Sequence, residues 1–101
     1  MKTLDNIRDD LREIRYYYSR KNVFDDAFKI IGTNSVVAKV QFYNEICRTA
    51  PVRLFEIFYF YIKGYTQEGV ALGIGYSPKY IQKLNKQLLL FIQRKIKAEI
   101  P

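Results

Sequence analysis

The sequence predicts an all-α fold of about five helices, because apolar side chains recur at intervals of three and four in four separate stretches. Strict alternation of apolar and polar residues is missing, and no Asn-Gly or Asp-Gly pair marks a hairpin. The chain has 101 residues, 49% of them hydrophobic and 16% aromatic, which is enough apolar material for one packed core. At this length a second core is not expected, so residues 1–101 are predicted to form a single domain.

The first predicted helix runs from about Thr3 to Lys21 and combines an apolar seam with opposite charges three or four residues apart. The seam consists of Leu4, Ile7, Leu11, Ile14 and Tyr18. We expect it to pack against the rest of the domain, and the alternative is that it pairs with a second copy of the chain. The N-terminal residues 1–50 are therefore assigned to helices that pack or dimerise.

Two further helices are predicted before residue 50. A short one ends at Gly32 and carries Phe24, Phe28 and Ile31 at helical spacing. The next begins near Asn34 or Ser35, either of which can cap it, and continues past Val36 to Cys47. Cys47 lies on the apolar side of this helix, so we expect it to fill the core rather than to have a redox role.

An unusually apolar helix is predicted over Val52 to Ile62, between Pro51 at its start and Gly64 at its end. Nearly every residue in this stretch is apolar or aromatic. A helix of this composition should be covered on all sides, and the N-terminal helices are the available cover. The two halves of the chain are therefore expected to share one core.

The clearest functional signal is a predicted helix-turn-helix in residues 65–88. Thr66 is a suitable N-cap for a first short helix, Gly73 and Gly75 can form a tight turn, and Ser77 with Pro78 can start a second helix. The inner face of the second helix is formed by Ile81, Leu84, Leu88 and Phe91. Two short helices joined by a glycine-containing turn are typical of DNA-binding domains.

The outer face of the second helix supports this interpretation. From Ser77 to Lys97 the chain has six basic residues and no acidic one. Residues 51–101 carry eight basic and three acidic side chains, within a formal net charge of +7 for the whole chain. A recognition helix needs long polar side chains on its exposed face, so Lys79, Gln82 and Lys83 are predicted to read base edges. Lys86 and the basic residues from Arg94 to Lys97 are predicted to contact phosphates.

These residues resemble region four of bacterial sigma factors, and most closely the small phage transcriptional regulators of the ArpU and RinA type. The resemblance covers about Arg53 to Ile92. It is carried by Gly64-Tyr65-Thr66-Gln67-Glu68, Val70-Ala71, Leu72-Gly73, Gly75-Tyr76-Ser77, Ile81 and Leu84. Pro78 departs from the family pattern, which has a long polar side chain there, and no segment for melting DNA is found.

The resemblance implies a phage- or mobile-element-encoded transcriptional regulator that binds promoter or operator DNA, with RNA polymerase as a candidate second partner. The implied DNA-contacting positions are Ser77, Pro78, Lys79, Gln82 and Lys83, with Tyr65 and Thr66 near the backbone. With Lys86, the predicted DNA-binding set is Thr66, Ser77, Pro78, Lys79, Gln82, Lys83 and Lys86. The alternative is a protein-interaction module, or a packaging protein similar to a terminase small subunit.

Other classes of function are disfavoured by composition. The chain has no His and a single Cys, so zinc fingers, His-based metal sites and His-dependent nucleophilic catalysis are excluded. The acidic pairs Asp9-Asp10 and Asp25-Asp26 are explained by helix faces or caps, so no enzyme, cofactor or metal site is expected. No signal segment or membrane-spanning run is recognised, and a cytoplasmic protein is expected. A homodimer is predicted, with Leu89 and Leu90 or the seam of the first helix as its surface.

Overall fold

The computed structural model describes residues 3–19 and 34–99, and these residues form five α-helices without a strand. The helices are α1 (Leu4–Ser19), α2 (Asn34–Cys47), α3 (Val52–Ile62), α4 (Gln67–Ile74) and α5 (Pro78–Glu99). The predicted all-α fold is therefore confirmed. The short helix predicted to end at Gly32 lies outside the described residues. Within the described part, no helix is both long and apolar enough to cross a membrane.

The apolar seam of α1 packs against the other helices of the same chain. Ile7, Leu11 and Ile14 are fully buried and belong to a core shared by all five helices. Tyr17 is buried as well, whereas the predicted seam residue Tyr18 is only partly covered. Tyr17 and Tyr18 follow Ile14 by three and four residues, and either spacing is compatible with the same helical face. The packing of α1 against its neighbours buries Tyr17. The seam is not available for pairing with a second copy.

Helix α3 packs against α1, α2 and α5, and α1 and α5 also contact each other. Leu54, Ile57, Phe58 and Tyr61 are buried in the shared core, as expected. The prediction that α3 is covered on all sides is wrong, because Tyr59 is 44% exposed on the opposite face. Tyrosine tolerates this position because its hydroxyl group can remain in water while its ring covers neighbouring apolar surface.

The turn after α3 is formed by Gly64, which has a φ of +76°. The amide of Gly64 donates to the carbonyl of Tyr61, and the amide of Tyr65 donates to that of Phe60, both at 3.0 Å. This pair of bonds is a Schellman motif, and the rings of Phe60 and Tyr65 pack on each other with centroids 6.0 Å apart. Gly64 also lies against the backbone of Ser19, so the same residue ends α3 and receives the end of α1.

Helices α4 and α5 begin at the predicted caps. The hydroxyl of Thr66 accepts a hydrogen bond from the amide of Gly69 at 3.1 Å, and Ser77 accepts one from the amide of Tyr80 at 3.2 Å. Gly75, at a φ of +76°, makes the turn between the two helices. Gly73 was expected in the turn, but it lies inside α4, because the helical bonding continues until the amide of Gly75 donates to Ala71.

The prediction that Leu89 is exposed is wrong. Leu89 was predicted, together with Leu90, to form an exposed pair, but Leu89 is 1% exposed and lies in the shared core, whereas Leu90 is 36% exposed. Helices packed on two sides of α5 widen its buried face beyond the line of Ile81, Leu84 and Leu88. Neither predicted dimer surface is thus available as predicted, and the homodimer itself stays a prediction.

Helix α2 is attached to α1 by polar contacts as well as by the core. Lys39 donates to Glu13 at 2.6 Å, and the buried Tyr43 donates to the carboxylate of Asp10. Burial raises the pKa of the Tyr43 hydroxyl, as does its bond to Asp10. The Lys39 pKa is raised chiefly by its hydrogen bond to Glu13. Two carboxylates of α1 are thereby held on the side of α2.

Candidate nucleic-acid interface

The predicted site residues divide between structural and exposed positions. Thr66 and Ser77 use their side-chain oxygens to cap α4 and α5, so their first role is to fix where the two helices start. Pro78 is the first residue of α5, where its missing amide hydrogen costs no hydrogen bond. All three are exposed. They define where α4 and α5 begin.

The outer face of α5, defined here as Lys79, Gln82, Lys83 and Lys86, is exposed along the first two and a half turns of the helix. It lies opposite the buried line of Ile81, Leu84 and Leu88. The sequence of α5 contains no acidic residue before Glu99. This face therefore presents three ammonium groups and one amide to solvent, without a carboxylate from its own helix.

An open groove of about 860 Å³ runs beside this face, between α5 and α1. We call it the arginine groove, because Arg8, Arg12 and Arg15 of α1 form one wall. Gln82 and Lys86 form part of the opposite wall, and Thr66 and Pro78 lie at the same groove. The structure thus brings four of the predicted site residues together with three arginines that were not predicted to belong to the site.

The floor of the arginine groove is a buried polar pair. The hydroxyl of Tyr61 donates to the side-chain oxygen of Asn85 at 2.5 Å, and Asn85 is 8% exposed. The guanidinium carbon of Arg15 lies 5.4 Å from the centre of the Tyr61 ring, a cation–π distance. Burial raises the pKa of Tyr61, against the opposing influence of nearby groups that include Arg15 and Arg12. The floor thus links α3 to α5 through the Tyr61–Asn85 hydrogen bond, and the Tyr61 ring contacts Arg15 of α1.

A second groove, of about 480 Å³, lies on the other side of α5, where Lys83 and Gln87 face the start of α3. Arg53 of α3 is held there by two tyrosines. Its guanidinium donates to the hydroxyls of Tyr76 at 2.7 Å and Tyr80 at 3.1 Å, and it lies 5.7 Å from the centre of the Tyr76 ring. The outer face of α5 is thus a ridge with an arginine-bearing groove on each side.

Sequence reasoning missed the arginines of α1. The available signal was their spacing of four and three, which places Arg8, Arg12 and Arg15 on one face of a helix. Their acidic neighbours made the same pattern resemble an ordinary solvated face with internal ion pairs. Arg53 gave no signal, because its partners are 23 and 27 residues away in the sequence.

The C-terminal part of α5 extends the basic surface. Arg94 and Lys97 are exposed, and the ammonium group of Lys95 lies 5.6 Å from the centre of the Phe91 ring. Among the described residues, no group of His, Cys, Asp or Glu side chains is arranged to hold a metal ion. The features that remain are basic grooves and an exposed basic ridge, which are suited to a polyanion.

No protein-family model matches this chain, and no curated protein or solved structure matches it significantly.

Proposed function

We propose that the protein is a sequence-specific DNA-binding transcriptional regulator, in which α4, the turn at Gly75 and α5 act as a helix-turn-helix. The observation that carries the proposal is the outer face of α5, where Lys79, Gln82, Lys83 and Lys86 are all exposed. A helix is about 10–12 Å across with its side chains, and the major groove of B-DNA is about 12 Å wide. Helix α5 can therefore enter the major groove with this face towards the bases.

The local structure supports an assignment of roles along α5. A recognition helix contacts base edges with its N-terminal residues, and its later turns contact the backbone. The Ser77 cap and the buried Ile81 fix the rotation of the first two turns. Gln82 can form two hydrogen bonds with an adenine, and Lys79 and Lys83 can reach guanine or phosphate. Lys86 lies at the arginine groove beside three arginines, which supports a role in phosphate contact.

The first test is selection of duplexes bound by the purified full chain from a pool of random sequence. The expected result is an enriched motif, together with affinity that falls as salt concentration rises, because phosphate contacts release counterions. A pool that stays random, or binding without salt dependence, would contradict the proposal. A protein-interaction module without a DNA site gives this negative result, since it does not require the basic face of α5.

The second test compares two glutamine variants by fluorescence anisotropy on the selected duplex and on a scrambled one. Gln82→Ala is expected to weaken binding to the selected duplex by about 1–3 kcal/mol and to change binding to the scrambled duplex little. Gln41→Ala removes an exposed glutamine from α2 and is the matched control, with no effect on either duplex. Equal effects of Gln82→Ala on both duplexes would show that α5 does not read sequence.

A further inference from the structure

The three arginines of α1 form a regular row along one wall of the arginine groove. Arg8, Arg12 and Arg15 are separated by four and three residues, so they project from the same side of the helix. At about 1.5 Å per residue the row is about 10 Å long. One strand of B-DNA rises about 3.4 Å per nucleotide, so the row spans about three nucleotide steps of one strand.

The acidic residues of α1 do not line the arginine groove. The carboxylates of Asp10 and Glu13 bond to Tyr43 and Lys39 of α2. Asp5 forms an exposed ion pair with Arg8 at 2.8 Å, and Asp9 lies with Arg12 and Arg15 at a neighbouring groove. Among the described residues that line the groove there are four basic side chains and no carboxylate. Helix α2 therefore binds two of the four carboxylates of α1, on the side away from the arginine groove.

The arginine groove also adjoins the outer face of α5. Gln82 and Lys86 belong to that face and to the wall of the groove. When a helix lies in the major groove, a sugar-phosphate backbone passes along each side of it. The arginine groove lies along one side of α5, where one of these backbones would pass.

We infer that the arginine groove binds the phosphodiester backbone of one DNA strand, so that α1 is part of the DNA interface and not only a support for the core. This inference rests on the proposed function, because it places the backbone relative to α5 in the major groove. The groove also contains two neutral donors, the Gln67 amide and the Thr66 hydroxyl. Such groups commonly donate hydrogen bonds to phosphate oxygens in protein–DNA interfaces.

The test measures the salt dependence of duplex affinity for the full chain carrying Arg8→Gln and Arg12→Gln together. Each phosphate contact contributes about 0.9 to the slope of log affinity against log salt, so the slope is expected to fall by about 1.8. Between 1 M and 0.15 M salt, a slope of 0.9 corresponds to about a fivefold gain in affinity per contact. Loss of two contacts is therefore expected to lower the affinity at 0.15 M salt by about 25-fold. The loss should be equal on selected and scrambled duplexes, because phosphates carry no sequence information.

Two matched variants separate this effect from a change in net charge or in folding. Arg48 on α2 forms an exposed ion pair with Glu45 three residues away, as Arg8 does with Asp5, but it does not line the groove. Arg48→Gln is expected to leave the slope unchanged. Arg8→Lys with Arg12→Lys keeps the charge and is expected to retain the slope within about 0.5, since a lysine still pairs with a phosphate as a point charge.

The outcomes distinguish the two proposals. Failure of the unaltered chain to bind any duplex overturns the proposed function. Duplex binding that loses its sequence preference with Gln82→Ala but keeps its full salt slope with Arg8→Gln and Arg12→Gln overturns the role of the groove alone. A mononucleotide or tripolyphosphate that binds the groove as tightly as a duplex would show a small-anion site instead of a backbone site. An equal loss of slope with Arg48→Gln would also refute the inference.

Discussion

Replacing Gly64 by alanine tests how firmly the end of α1 is held against the turn that follows α3. A Cβ atom at Gly64 would lie 2.5 Å from the backbone nitrogen of Ser19 and 2.8 Å from its Cα. Both are backbone atoms, so the conflict cannot be relieved by a change of side-chain rotamer. Either the end of α1 or the turn at Gly64 must move, and the hydrogen bonds of the Schellman motif oppose movement of the turn.

The magnitude follows from comparison with two other glycines. Gly75 has the same φ of +76°, but a Cβ there would meet nothing within 4 Å, so Gly75→Ala measures backbone strain alone, about 1–2 kcal/mol. Gly64→Ala adds a packing conflict of about 1–3 kcal/mol to that strain, for a total of about 2–5 kcal/mol. Gly73 lies inside α4 with open space around it, so Gly73→Ala should stabilise the fold by about 0.5–1 kcal/mol.

Urea unfolding followed by circular dichroism at 222 nm measures all three changes on the same scale. The expected order of unfolding free energy is Gly73→Ala, then the unaltered chain, then Gly75→Ala and finally Gly64→Ala. Equal losses for Gly64→Ala and Gly75→Ala would show that α1 does not contact the turn. A loss of stability with Gly73→Ala would show that the turn between α4 and α5 begins earlier than Gly75.

Two further predictions concern the core. Burial raises the pKa of the Cys47 thiol from 9.0 to about 12. The contribution of this thiol to the unfolding free energy is therefore fully present below pH 9 and is lost as the pH rises towards 12. The loss is at most about 1.4 kcal/mol per pH unit. The unfolding free energies of the unaltered chain and Cys47→Ala, measured with a reductant present, should converge between pH 9 and 11, and parallel curves would contradict this reasoning. Leu89→Ala should lower the urea unfolding free energy by about 2–5 kcal/mol, because Leu89 is buried. Leu90→Ala should lower it by less than about 1 kcal/mol, because Leu90 is more exposed. Equal losses would refute the burial of Leu89.

The features that sequence alone predicted correctly are those formed by residues close together in the chain. The caps at Thr66 and Ser77 each join residues three apart, and the Gly64 turn joins residues no more than five apart. The buried positions of α1 from Ile7 to Ile14 follow from the periodicity of a single helix. Such interactions depend on local geometry that is the same wherever the helix packs, so residue type and spacing are sufficient to predict them.

The sequence was less informative about burial at positions where the packing of distant helices decides which side chains are covered. Leu89 and Leu90 are adjacent and chemically identical, and only the position of the neighbouring helices places one inside and the other at the surface. Likewise, Tyr59 is apolar enough for a core, but nothing among the described residues covers it fully. Leu89 is buried by helices that are distant in sequence, whereas Tyr59 stays exposed because no such helix covers it fully.

The sequence by itself determined the helical class, the helix boundaries near their caps and the acid-free face of α5. Tertiary structure decided that Arg8, Arg12 and Arg15 stand opposite Gln82 and Lys86 across one groove. It also decided that the carboxylates of Asp10 and Glu13 are bound by α2, and that Arg53 is held by Tyr76 and Tyr80. The physical reason is that helical periodicity fixes which residues share a face, whereas the charge of a groove depends on which two faces the core brings together.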